Sequence, residues 1–239
     1  MRHDPAGARA PHDFVYLASQ SPRRRELLDQ LGIAYRMLLP DDLQAAEALE
    51  AERTDDTPQQ YVTRTTLAKA IAAHQRRLTS SQPAAPVLAA DTTVTLDGKV
   101  LGKPGDAADA LRILSCLVGR THQVMTGVAV VDADAAGYFD SGEPLGLAER
   151  WLARHGQGEP GAEGLRFALC VSSVSMAVAD SATLQRYIGT GEPFGKAGAY
   201  GIQGQGAALI SSLHGSYSGV MGLPLFETAA LLRQAGLNC

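Results

Sequence analysis

The sequence predicts an α/β protein, and three observations carry that reading. Apolar runs of strand length recur at Phe14–Ala18, Val87–Ala90 and Thr121–Val130. Segments with helical apolar spacing lie between them, opened by Ser21-Pro22 and by Thr57-Pro58-Gln59-Gln60; such pairs mark helix starts. Asp97-Gly98 between β-rich runs signals a hairpin. The 239 residues fit one large domain or two small ones, and 45% apolar residues suffice for a core.

The elements follow in order. Residues 1–12 are rich in Ala, Pro and Arg and have no apolar run, so they read as a flexible tail rather than a signal peptide. Phe14–Ala18 reads as a buried strand. Ser21 then stands as N-cap, Pro22 sits at the first helical position, and Leu27, Leu28 and Leu31 keep helical spacing. The free N–H groups at this helix start lie beside Arg23, Arg24 and Arg25. A helix N-terminus favours anions, and arginine forks match phosphate oxygens. Ser19 and Ser21 fit the same role as phosphate donors. The stretch reads as a polyphosphate clamp; the plainer alternative is a capped surface helix with solvated arginines.

Gly32 closes the helix and Tyr35–Leu39 reads as a second strand. Residues 41–56 are acidic and Ala-rich, a loop with a short helix. Thr57 to Gln60 forms a capping box for a helix to about Arg76, with Lys69 inside it. Val87–Ala90 is a strand with Asp91 just past its end, where open α/β sheets gather ligand-binding residues. Thr92–Leu96, the Asp97-Gly98 turn and Lys99–Leu101 form a hairpin. This layout puts a carboxylate at the hairpin's start and Lys103 just after its end. The chain has only four lysines, Lys69, Lys99, Lys103 and Lys196. In a chain that otherwise uses arginine, they fit places needing a compact ammonium. The plainer reading, and for Lys69 alone the favoured one, is a solvated surface lysine.

Asp106 caps a helix to about Cys116, and Thr121–Val130 is a long strand. Residues 132–165 form an insertion with a helix near Leu145–Arg154. Phe167–Val178 returns as a strand, and Ser181 caps the next helix. Gly195 to Gly206 is a glycine-rich segment, and such density fits close backbone approach to a ligand. Gln203 there offers a donor and an acceptor suited to a base edge. Ala207–Ile210 and Tyr217–Val220 read as strands, and Pro224 opens a last helix.

Composition narrows the function classes. A formal net charge of −4 argues against coating nucleic acid. Cys116, Cys170 and Cys239 share no metal-ligand spacing, and an odd count in a chain this long argues against a disulfide framework and for a reducing cytoplasm. No run of about 18 apolar residues is present, so no membrane span is expected. His122, alone in a strand, reads as structural.

Four motifs, Ser19-Gln20-Ser21-Pro22-Arg23-Arg24, Ala90-Asp91-Thr92, Gly102-Lys103-Pro104 and Lys196-Ala197-Gly198-Ala199-Tyr200-Gly201-Ile202-Gln203-Gly204, closely resemble the Maf family of nucleoside triphosphate pyrophosphatases. The last resembles the branch acting on dTTP and UTP. The resemblance runs in order from Phe14 to Gly236. It implies a fold like that of inosine triphosphate pyrophosphatases: a mixed sheet flanked by helices, two lobes, a central cleft and usually a homodimer. It makes residues 13–239 a single catalytic domain. It implies cleavage between the α and β phosphates with Mg²⁺ or Mn²⁺. By motif, Asp91 is the proton acceptor and a metal ligand. Arg23, Thr92 and Gln203 set substrate choice, and Ser19, Arg24, Lys69 and Lys103 line the phosphate side. The family's acidic metal ligand near the end of the second strand falls on Asp42, with Glu47 as the alternative. A nucleotide-binding regulator of division, or a house-cleaning enzyme for noncanonical nucleotides, are the competing readings.

Overall fold

The computed structural model describes residues 12–135, 137–156 and 162–239. The buried strand β1 (Val15–Leu17) leads into α1 (Pro22–Gln30). Ser21 takes the extended N-cap backbone and Pro22 opens the helix, but the Ser21 side chain makes no capping bond. After β2 (Tyr35–Met37) comes the short helix α2 (Leu43–Ala48). Helix α3 (Pro58–Thr79) starts at the expected capping box: Thr57 Oγ1 accepts from Gln60 N–H at 3.2 Å, and Gln60 Oε1 accepts from Thr57 N–H at 2.9 Å. It runs three residues beyond Arg76.

Next come β3 (Val87–Leu96), β4 (Lys99–Leu101), α4 (Ala107–Leu117) and β5 (Thr121–Val131). Then follow α5 (Pro144–His155), β6 (Leu165–Met176), α6 (Ser181–Gly189), β7 (Ile210–His214), α7 (Tyr217–Met221) and α8 (Leu225–Gln234).

Several sequence expectations change. Asp180, not Ser181, caps α6, accepting from Thr183 N–H at 2.8 Å. Residues Gln205–Leu209 form a 3-10 turn ahead of β7, and Tyr217–Val220 lies in a helix instead of a strand. Ser216 caps that helix through Gly219 N–H at 3.0 Å, and the local cap overrides the strand preference of Tyr and Val. His12 is no loose tail residue, since its N–H donates to Gly236 O at 2.9 Å. The rest of the expected tail lies outside the described residues, as do Ala136 and residues 157–161 of the insertion. Helix α5 of that insertion packs on α3, with Leu147, Ala148 and Trp151 meeting Leu67 and Ile71 in one core cluster.

Among the described residues, seven strands form one mixed sheet in the order β2-β1-β3-β5-β6-β7, with β4 paired to β3. β1 is parallel to both β2 and β3, and the other strand pairings among the described residues are antiparallel. Strand β3 is therefore shared. Its first residues pair with β1 at Val87 and Leu88, and its last with β4 from Val94 to Leu96. Between Ala89 and Thr93, its strand partner is β5 alone. The two lobes part there. One holds β1, β2, α1 and α8 around Leu17, Leu28 and Leu232. The other holds α4 and α6 around Ile113, Leu114, Leu184 and Val174. Asp91 and Thr92 face the opening from mid-strand, not from beyond a strand end as the sequence indicated.

Candidate active site

The opening is a cleft of about 950 Å³, within the range of small-molecule sites. Alternation along β3 sends adjacent side chains to opposite faces. Asp91 turns toward α3 and Thr92 toward α7.

On the α3 side, Lys69 Nζ donates to Asp91 Oδ1 at 2.5 Å and to Glu50 Oε1 at 2.7 Å. Lys103 Nζ donates to the other Glu50 oxygen at 3.1 Å. The carboxylates and ammonium groups thus alternate: Asp91, Lys69, Glu50, Lys103. Asp91 and Lys69 are largely covered, while Lys103 is 57% exposed at the rim. Burial opposes charge on Glu50, but Lys69 and Lys103 outweigh it and hold the carboxyl below its ordinary range. Burial likewise opposes charge on Lys69, yet Asp91 and Glu50 hold its ammonium above its ordinary value. The close approach of α3 depends on Gly127, directly across from Asp91 on β5. A Cβ there would overlap Thr66 Oγ1 and lie 3.1 Å from Phe167 Cε2. Thr66 sits one turn before Lys69.

Glu50 is a cleft residue that the sequence did not single out. Asp42 caps α2 through Ala45 N–H at 3.1 Å, and Glu47 is exposed on that helix. Both line the outer cleft, but Glu50 is the acidic residue of this stretch that reaches Lys69. Its backbone is held from α3, where Tyr61 Oη donates to Glu50 O at 3.0 Å and Arg64 Nη2 to Ala51 O at 3.1 Å. The only sequence sign was its place in the acidic 41–56 segment.

On the α7 side, Arg24 Nη1 donates to Ser19 Oγ at 3.0 Å, Nε to Gly222 O at 2.8 Å and Nη2 to Thr92 Oγ1 at 3.4 Å. Thr92 Oγ1 is 3.0 Å from Thr126 Oγ1, which donates to Gly219 O at 2.7 Å. Arg23 Nε donates to Met221 O at 3.2 Å. Ser19 also accepts from Ser21 N–H at 3.2 Å, so the expected clamp is a braced turn at the start of α1. Lys196 and the exposed Gln203 line the same cleft. Burial lowers the Lys196 pKa, and the positive charge of Arg23 lowers it further. Two cations pressed together in this way favour an anion between them. Every predicted site residue lines this one cleft.

The donor set also suits a hard divalent cation. Asp91 and Glu50 converge on one ammonium, and carboxylate oxygens in ones and twos, completed by substrate phosphates, are the usual surroundings of Mg²⁺.

The family profile for Maf-like proteins matches residues 14–235. The chain belongs to the Maf family. Within that family, a dTTP/UTP pyrophosphatase of Burkholderia thailandensis is 54% identical over 94% of this chain and 94% of its own length. A dTTP/UTP pyrophosphatase of Cupriavidus pinatubonensis is 49% identical over 95% of this chain and 99% of its own. Among solved structures, a HAM1 protein from Coxiella burnetii aligns at 14% identity and a TM-score of 0.44, across 92% of this Maf chain and 98% of that one.

Proposed function

We propose that this chain hydrolyses dTTP and UTP to the nucleoside monophosphate and pyrophosphate. The alternating Asp91–Lys69–Glu50–Lys103 array, facing Arg23, Arg24 and Lys196 across one cleft, carries the reading. A triphosphate brings several negative charges, and these cations neutralise them where charge develops. The names of the relatives support the pyrimidine substrates.

The residues divide the work. Asp91, held in place by Lys69, orients and deprotonates the attacking water. Ser19, Ser21, Arg24, Lys69 and Lys103 hold the phosphates, while Arg23, Thr92 and Gln203 select the base. Asp91 and Glu50 would hold Mg²⁺ or Mn²⁺. The cation, when bound, adds charge neutralisation at the phosphates. Residues 13–239 act as one catalytic domain, in a homodimer in the cytoplasm. Sedimentation velocity tests the dimer.

The deciding experiment is pyrophosphate release from dTTP, UTP, CTP, dATP, GTP, ITP and 7-methyl-GTP, with Mg²⁺, Mn²⁺ or EDTA. Turnover of dTTP and UTP that EDTA abolishes is the expected result. Activity confined to ITP or 7-methyl-GTP would overturn the substrate, and tight binding without turnover would overturn the enzyme reading in favour of a regulator.

A further inference from the structure

The segment carrying Gln203 is wrapped around a single carboxylate. Glu192 lies just beyond α6, and its Oε2 accepts from Gln205 N–H at 2.7 Å. Its Oε1 accepts from Gly206 N–H and from Tyr187 Oη, both at 2.9 Å. Tyr187 Oη in turn accepts from Gly201 N–H at 3.1 Å. The Glu192 carbonyl takes the Lys196 ammonium. Gln203 therefore sits between anchors at Gly201 and Gln205, with its own side chain exposed at the cleft wall. A Cβ at Gly204 would overlap the Glu192 carboxylate, which accounts for glycine there. Burial opposes charge on Glu192, but the Gly206 and Gln205 N–H groups and the Tyr187 hydroxyl outweigh it, so its carboxyl lies below the ordinary range.

Backbone N–H groups gathered on a carboxylate form the kind of concavity that binds anions elsewhere; here the chain supplies its own anion. Without it, the loop regains backbone freedom that must be lost again when substrate binds. Asp91, Lys69 and Glu50 stand on β3, α3 and the segment before α3, and Glu192 touches none of them.

We propose that Glu192, together with Tyr187, is a specificity-determining positioning residue, whose carboxylate fixes the 201–206 segment so that Gln203 meets the base in one orientation. The proposal rests on the pyrimidine pyrophosphatase reading. Its chemical content is recognition of a base edge by a preorganised amide, a precondition for discrimination between similar bases.

The test compares wild type, Glu192→Ala, Glu192→Gln and Tyr187→Phe by steady-state kinetics on dTTP, UTP, CTP and GTP, with thermal melts of each. In Glu192→Ala, KM for dTTP should rise roughly tenfold or more, the cost of ordering a freed side chain on binding, while kcat stays within about threefold. The dTTP preference over CTP should fall with it. Glu192→Gln should lie between, because its amide oxygen keeps one acceptor. Tyr187→Phe should raise KM less. An unchanged preference profile, or a fall in kcat at constant KM, would overturn the proposal. If Glu192→Ala does not fold, unchanged selectivity in both Glu192→Gln and Tyr187→Phe overturns it instead. A wild-type enzyme inert on every triphosphate would sink the pyrophosphatase reading itself, an outcome separate from any change among the variants.

Discussion

Asp91 and Glu50 share one ammonium, and the proposed reaction gives them different work that substitution separates. Asp91→Asn removes the base while Lys69 keeps its bond to Glu50. Turnover of dTTP should fall about a hundredfold or more, the scale of general-base loss. The nucleotide should still bind and raise the melting temperature, since the cations across the cleft remain. Near wild-type turnover would remove Asp91 from the mechanism. Glu50→Gln should raise the Mg²⁺ or Mn²⁺ concentration for half-maximal activity by about tenfold or more, because even groups behind a metal ligand have effects of that size. Asp42→Asn and Glu47→Gln should track wild type in the same titration. The reverse pattern would return the metal to the α2 end of the acidic segment.

The same chemistry depends on how closely α3 meets the sheet. Thr66 Oγ1 donates to Val62 O at 2.6 Å, so it cannot turn aside without losing that bond. Gly127→Ala should therefore push α3 outward, with a stability loss of about 1–3 kcal/mol in urea unfolding, typical of overpacking. Activity should fall more than stability explains, because Lys69 rides on the displaced helix; wild-type kcat in a folded Gly127→Ala enzyme would show that the spacing is unimportant. Sequence is informative where the signal is local. The α3 capping box and the Asp97-Gly98 turn are local, and both stand as read. Glu50 was invisible because it occupies irregular chain, without period, and is placed by Tyr61 and Arg64 from another element. Asp91 lines the cleft but from mid-strand. Val87–Ala90 and Thr92–Leu96 read as separate strands, and nothing local tells that they are one strand joining a parallel pairing to an antiparallel one.

Across the whole molecule, the buried pair His122 and Tyr200 pins β5 to the loop that carries Gln203, with Nε2 and Oη 2.8 Å apart. Burial pushes the His122 pKa down to about 4 from 6.5. The unfolded chain thus takes up a proton below about pH 6.5 that the folded chain refuses until about pH 4, so this contribution to stability is intact above that window and drains away as pH falls through it. His122→Gln lacks the effect. The wild-type advantage over it should shrink by about 2 kcal/mol between pH 7 and pH 4.5 in urea unfolding, and a constant advantage would refute the assignment. His122 reads as structural from the sequence, and its pairing with Tyr200 gives that reading a physical form. Asp91 and Thr92 serve opposite walls only because they are neighbours in a strand of period two. Deleting a single residue between Val87 and Asp91 would exchange their faces, putting the Thr92 hydroxyl in the place of Asp91 beside Lys69 and turning Asp91 to the α7 side. Between β5 and β6, where the whole of α5 stands outside the sheet, a change of chain length turns no strand face, whereas in β3 a change of one residue turns every side chain that follows it.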